Sequence, residues 1–186
     1  LHCDGGWWKF QSAREVDDTL PNVLVIGDSI VKGYQGHVIK SLKSKATVDV
    51  WLTSYHQYSE LLKKYVLTLK KMAPDAQLIW ANTTQVHERG QQKHNQGINP
   101  VIVHRNELAA VVMNDEGVTV NDLYELMNDK MHLVRGDRFH WKPEAYAIRG
   151  EQVVEVINGK LKGSNGVLPN RPADVYVSPT GDDTNP

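Results

Sequence analysis

The sequence predicts an α/β fold, a three-layer α/β/α sandwich built on a parallel sheet, on three observations. Short apolar runs alternate with longer segments of helical periodicity in the order βαβαβαβα, which sets a helix between successive strands of one sheet. The first run, Val23-Leu24-Val25-Ile26, is apolar at every position, as a strand covered on both faces requires. The segment 58–72 places Leu61, Leu62, Tyr65, Val66, Leu69 and Met72 at helical spacing with lysines opposite, so one side packs while the other meets water.

Each element follows in order. Residues 22–26 read as the first strand, and 30–42 as a helix with Val31, Tyr34, Val38, Ile39 and Leu42 on one face. Residues 46–52 read as the second strand, followed by the amphipathic helix 58–72. The turn Pro74-Asp75 leads into a strand over 77–83. Residues 84–100, rich in Gln, Asn, His and Gly, read as a polar loop that borders a site rather than a core element. A helix over 101–113, a short strand over 118–120 and a helix over 122–128 come next. Pro143 opens the last helix, where its missing N–H costs nothing, and the helix runs to about Leu161 with Tyr146, Val153, Val154 and Ile157 inward.

Composition narrows the function classes. The 186 residues are 40% hydrophobic with a formal net charge of −1, enough for one core and without the basic surplus that nucleic acid or an anionic membrane attracts. The expected partner is a small-molecule or polysaccharide substrate. No apolar run reaches the length of a membrane span and no signal peptide stands at Leu1, so the chain reads as soluble, mature or trimmed. Cys3 is the sole cysteine, which excludes an intrachain disulfide and a cysteine-rich metal site. His87, His94 and His104 flank the polar loop at a spacing that fits no common ligand pattern, and no glycine-rich nucleotide loop occurs, so neither metal nor cofactor is expected. Gly163-Ser164-Asn165-Gly166 and the prolines of 169–172 mark a linker. The division expected is an N-terminal extension over 1–20, a domain over 21–162 and a linker into a further domain over 163–186.

Two short motifs carry chemistry. Gly27-Asp28-Ser29 closes the first strand, and Asp137-Arg138-Phe139-His140 precedes the last helix. A serine hydroxyl becomes a competent nucleophile when an imidazole takes its proton, and a carboxylate then fixes the imidazole's tautomer and stabilises its charged form. Ser29, His140 and Asp137 suit those roles, because an Asp and a His three positions apart on a loop point to one side. Ser29 at a helix N-terminus also sets its own amide and the helix dipole toward charge on the attacked oxygen. Asp28 suits a helix N-cap, and either Asp137 or Asp28 is available to orient His140.

The Gly-Asp-Ser-Ile block after the first strand and the Asp-x-x-His block, followed by Trp141-Lys142-Pro143-Glu144-Ala145-Tyr146, resemble the GDSL-like, or SGNH, hydrolases over roughly Pro21 to Leu161. The resemblance implies a flavodoxin-like fold and a serine esterase without cofactor or metal. Ser29 is then the nucleophile and one oxyanion donor through its backbone amide, His140 the general base and then acid, and Asp137 its orienting carboxylate. Family members carry two further blocks, a glycine after the second strand and a Gly-x-Asn segment after the third, which complete the oxyanion hole. Neither is evident here, so the glycine and asparagine donors stay unassigned, and Asn82 at a strand end reads as a turn residue. The run from Leu52 to Tyr58 is too short for a crossover helix and a strand, so one family strand is expected to be missing at the Ser54–Tyr55 junction. Each oxyanion donor contributes on the order of 3–4 kcal/mol, so the resemblance implies either a slow esterase or a non-catalytic relative serving carbohydrate binding or spacing.

Residues 173–186, with Val175, Tyr176 and Val177 before Ser178-Pro179, resemble the opening strand of secreted parallel β-helix domains. That likeness implies a secreted or periplasmic multidomain protein acting on polysaccharide. Trp7, Trp8 and Phe10 are candidates for stacking on sugar, and Trp141 beside His140 for shaping a substrate pocket. A long-chain lipase fits less well, since no apolar lid is evident.

Overall fold

The computed structural model describes residues 8–11, 19–53 and 59–163. Its elements are strand β1 (Trp8–Gln11), β2 (Asn22–Gly27), helix α1 (Ser29–Leu42), β3 (Thr47–Thr53), α2 (Ser59–Met72), β4 (Ile79–Ala81), α3 (Asn99–Asp115), β5 (Thr119–Asn121), α4 (Leu123–Met127), a 3₁₀ turn over Met131–Leu133, and α5 (Pro143–Gly163). The alternation is as expected, with boundaries shifted by a residue or two. The third strand, Ile79–Ala81, is shorter than the reading of 77–83; beyond it the amide of Asn82 still donates to the carbonyl of Asn121 in β5, and at Thr83 the backbone turns to the side chain of Asn106 in α3.

The parallel sheet is divided. β2 pairs in parallel with β3, β4 pairs in parallel with β5, and no ladder joins β2 to β4 among the described residues. Each parallel neighbour needs its own crossover connection, so a gap at this place is what the family strand expected to be missing would leave. Leu24 of β2 is 53% exposed, although the all-apolar run predicted a strand covered on both faces. The Ser54–Tyr55 junction itself lies outside the described residues, as do Trp7, Cys3 and the tail resemblance over 173–186. β1, within the stretch read as an N-terminal extension, pairs antiparallel with the far edge of β3, Trp8 opposite Thr53 and Gln11 opposite Val50.

Packing keeps the three layers. Alternation along β2 and β3 turns Val23, Val25, Val48, Val50 and Leu52 toward α1 and α5, where they join Val31, Tyr34, Val38, Leu42, Val153 and Ile157. β4 contributes Ile79 to that same cluster, while Leu78 and Trp80 meet Leu62 and Val66 of α2 and Ala109 and Met113 of α3. The two sheet fragments therefore share one layer, with helices on opposite sides.

Gly33 of α1 lets α5 approach closely. A Cβ there meets Cε1, Cδ1 and Cζ of Tyr146 at 2.1, 2.4 and 2.4 Å, and that ring is half-buried against the core. Gly33→Ala is expected to lower stability by about 1–3 kcal/mol through overpacking, read as a fall in the urea midpoint without a change of slope. An unchanged midpoint counts against this tight fit.

Candidate active site

The site begins with a tight turn out of β2. Gly27 ends the strand and Asp28 caps α1, its Oδ1 accepting from the amide of Ile30 at 2.8 Å. Asp28 is thereby committed to the helix start, which closes the question of which carboxylate meets His140. Ser29 becomes the first helical residue at the carboxyl end of a parallel strand, where amides of the first turn have no partner within the helix.

The opposite side is a narrow hairpin. Val134 and Trp141 form an antiparallel bridge, the amide of Arg135 donates to the carbonyl of His140 at 2.9 Å, and that of Lys142 to Leu133 at 2.8 Å. Within it Asp137 organises its own loop: Oδ1 accepts from the amides of Phe139 at 2.8 Å and His140 at 2.7 Å, leaving Oδ2 for the His140 ring, 3.0 Å from Nδ1. Desolvation pushes the Asp137 carboxyl up, but the His140 and Phe139 amides and the His140 ring outweigh it and hold the pKa at about 2. The folded value lies below the usual carboxylate value, so the stabilisation is present above the latter and is lost as pH falls through about 2. Asp137 thus stays ionised throughout the range where an imidazole titrates.

The other ring nitrogen, His140 Nε2, lies 3.1 Å from Ser29 Oγ across 111 positions of sequence. Because the Asp137 carboxylate only accepts, Nδ1 carries the proton and Nε2 presents its lone pair to the hydroxyl. Ser29, His140 and Asp137, the three residues picked from the sequence, meet in one continuous chain of hydrogen bonds. The side chains of His140 and Asp137 are 35% and 43% exposed, so the chain opens to solvent rather than lying sealed in the core.

Other expectations change. Trp141 is 1% exposed and does not line a substrate pocket; it packs with Met127, Val134 and Ala145 beneath the hairpin. Its ring lies 4.5 Å from the guanidinium carbon of Arg149, whose charge is fully buried and whose nitrogens have no hydrogen-bond partner. Burial draws Arg149 down to about 10 against the pull of Tyr146, Tyr34 and Asp28, and the aromatic stack supplies part of the lost solvation. Phe139, by contrast, is 52% exposed beside His140.

The segment read as a polar loop is also corrected, because Thr84, Gln85, Val86 and His87 are buried. Side chains of α3 satisfy it as a neighbouring strand would. Asn106 accepts from the amide of Thr83 at 3.1 Å and donates to its carbonyl at 2.9 Å, and Asn99 does the same for Val86, accepting at 3.0 Å. The regular asparagines at 99 and 106 were the available signal. The amide of Asn82 donates to the carbonyl of Asn121 at 3.1 Å, so Asn82 extends the pairing with β5 rather than forming a turn. His104 faces Glu107 on the surface at 3.6 Å, and no cluster of metal-ligating side chains occurs among the described residues. No described helix is long and apolar enough to cross a membrane.

Against known proteins, no family model matches the chain, and no curated protein matches it. Solved structures do. The chain is similar to a member of the lipolytic protein G-D-S-L family from Veillonella parvula DSM 2008, at 14% identity and a TM-score of 0.54, over 74% of this chain and 98% of that one. A lipase/acylhydrolase from Enterococcus faecalis matches at 14% identity and a TM-score of 0.58, over 76% and 97%. An acetyl xylan esterase, AlAXEase, matches at 12% identity and a TM-score of 0.54, over 73% and 100%. The fold is that of an SGNH hydrolase, as the two sequence blocks implied.

Proposed function

We propose that this chain is a serine ester hydrolase that removes acetyl or similar short acyl groups from a carbohydrate. The observation that carries the reading is the hydrogen-bonded chain from Ser29 Oγ to His140 Nε2 and from His140 Nδ1 to Asp137 Oδ2, at 3.1 and 3.0 Å. Ser29 Oγ attacks the ester carbonyl as His140 takes its proton, and the oxyanion forms toward the Ser29 amide and the positive end of α1. Collapse of the tetrahedral species breaks the ester bond, and His140 returns the proton to the departing sugar oxygen. Water then repeats the attack on the acyl-serine with His140 again as base, releasing the acid. Asp137, ionised throughout, stabilises the imidazolium between steps.

Three features support the carbohydrate: a similar fold in an acetyl xylan esterase, the β-helix likeness of 173–186, and a groove of about 370 Å³ lined by His94, Asn95, Pro100, Val103 and Tyr124. His94 pairs with His87 in an antiparallel bridge, and His87 in turn touches the His140 carbonyl, which links the groove to the catalytic loop through the backbone; none of Ser29, His140 and Asp137 lines it. In this reading the protein is a secreted or periplasmic module of a larger chain.

The test is acetate release from p-nitrophenyl acetate and from acetylated xylan, compared with Ser29→Ala. Turnover by the wild type that vanishes in the variant is the expected result, and turnover unaffected by Ser29→Ala overturns it. A second reading, a catalytically impaired module that binds glycan, draws on the divided sheet and the unassigned glycine and asparagine donors. Saturable glycan binding without turnover selects it.

A further inference from the structure

His87 takes no part in the proton relay, yet it grips the loop that carries it. It is wholly buried at the end of the segment 82–87, and its ring stands edge-on to Trp141 with centroids 5.8 Å apart and planes at 86°. Its backbone amide donates to the carbonyl of Arg138 at 3.1 Å, and its ring Nε2 lies 3.2 Å from the carbonyl oxygen of His140. One residue therefore holds the Asp137–His140 turn at two points. Nearby, the amide of Gly90 donates to the carbonyl of Gly136 at 3.2 Å, so the same stretch of chain supports the turn along its length.

The chemistry of the ring is decided by its neighbours. A carbonyl only accepts, so Nε2 carries the proton. Nδ1 is buried without a partner, which leaves no acceptor for a second proton. Burial lowers the pKa of His87, the bond to the His140 carbonyl and the Asp137 charge oppose the shift, and the nearby His140 and Arg149 add to it. His87 is thus a neutral donor in one tautomer. The His140 carbonyl is held from two sides, by the amide of Arg135 within the hairpin and by His87 from the neighbouring segment. Bonds to that carbonyl fix the backbone at His140 and with it the position of its Cβ, from which the ring reaches Asp137 and Ser29.

We propose that His87 is a positioning residue for the relay: its Nε2–H, bonded to the His140 carbonyl, aims the His140 ring so that it meets Ser29 and Asp137 at once. The proposal rests on the reading of His140 as the base. The donor, rather than the ring's bulk, is the part that matters. The carbonyl keeps its bond from Arg135 when the donor is removed, so the fold should tolerate the loss while the aim of the ring does not.

Three variants separate these roles. His87→Leu and His87→Phe fill the space without a donor, and His87→Gln returns an amide N–H close to the position of Nε2. The expected result with p-nitrophenyl acetate is a fall in kcat of about 10- to 100-fold in the Leu and Phe variants with KM nearly unchanged, and recovery of most of it in His87→Gln. The second readout needs no turnover: the NMR signal of the His140 Nδ1 proton, held by Asp137, should weaken or shift in the donor-free variants and return in His87→Gln. Wild-type kcat in the folded Leu and Phe variants, or an equal loss in His87→Gln, overturns the proposal. If turnover proves independent of Ser29, the esterase reading falls and the proton signal alone decides, an unchanged signal in all variants again overturning the role given to His87.

Discussion

Asp137→Asn is expected to lower kcat by about 10⁴-fold while the loop keeps its shape. An asparagine Oδ1 still accepts from the amides of Phe139 and His140, which lie 2.8 and 2.7 Å from the present Oδ1, so the turn does not collapse. The Nδ2 group that replaces Oδ2 is a donor, however, and it faces His140 Nδ1 at the distance where a carboxylate now accepts. The imidazole answers by moving its proton to Nε2, which then has no lone pair to offer Ser29. The charge that stabilises the imidazolium is removed by the same change. Both effects act on kcat more than on KM, because neither group binds the resting substrate. Steady-state kinetics of Asp137→Asn beside Ser29→Ala provides the check, and activity within tenfold of wild type removes Asp137 from the role proposed. Asp28→Asn makes the informative contrast, since Asp28 Oδ1 is occupied by the α1 cap and asparagine caps equally well.

The largest loss of stability is expected from Trp141→Ala, at about 3–5 kcal/mol, equivalent to a fall in Tm on the order of 10 °C. Trp141 is wholly enclosed by Met127, Val134 and Ala145, with His87 on its edge and Arg149 over its ring, so its removal leaves a hole bordered by a buried cation. The guanidinium nitrogens already lack hydrogen-bond partners, and the stack on Trp141 and Tyr146 is the compensation that burial leaves them. Trp141→Phe should cost far less, because it keeps a ring over Arg149 and discards an indole N–H that has no partner. Thermal melts of the two variants test the account, and a loss below about 1 kcal/mol in Trp141→Ala contradicts it.

What was legible in the sequence is what local chemistry determines. The apolar run ending at Gly27, the cap at Asp28 and the proline at the start of α5 each act within a turn or two of themselves, and the structure has them where the pattern puts them; on α2, Leu62 and Val66 are buried as the pattern has them, but Met72, read as inward, is 55% exposed in the last turn. The Asp137–His140 pair is local too, since one carboxylate three positions away can take both the amide and the ring of the same histidine. The shortage of chain between Leu52 and Tyr58 was likewise a matter of counting, and the described strands fall into two sheets.

Tertiary structure decided the rest, because burial is a property of neighbours far along the chain. The polarity of residues 84–87 read as a loop, but polar groups enter a core once their partners are supplied, and Asn99 and Asn106 supply them from α3. Trp141 looked like a pocket wall and became part of the core, because Met127, Val134 and Ala145 enclose it and α5 lays Arg149 over its ring. The 3.1 Å approach of His140 to Ser29 was expected from paired motifs, yet nothing within either motif sets that distance. It depends on α1 and α5 packing closely at Gly33, and on a hairpin held from one side by Arg135 and from the other by His87. Sequence named the reacting groups because their chemistry is carried by side-chain type; the fold alone set their separation, because that is the sum of many distant contacts.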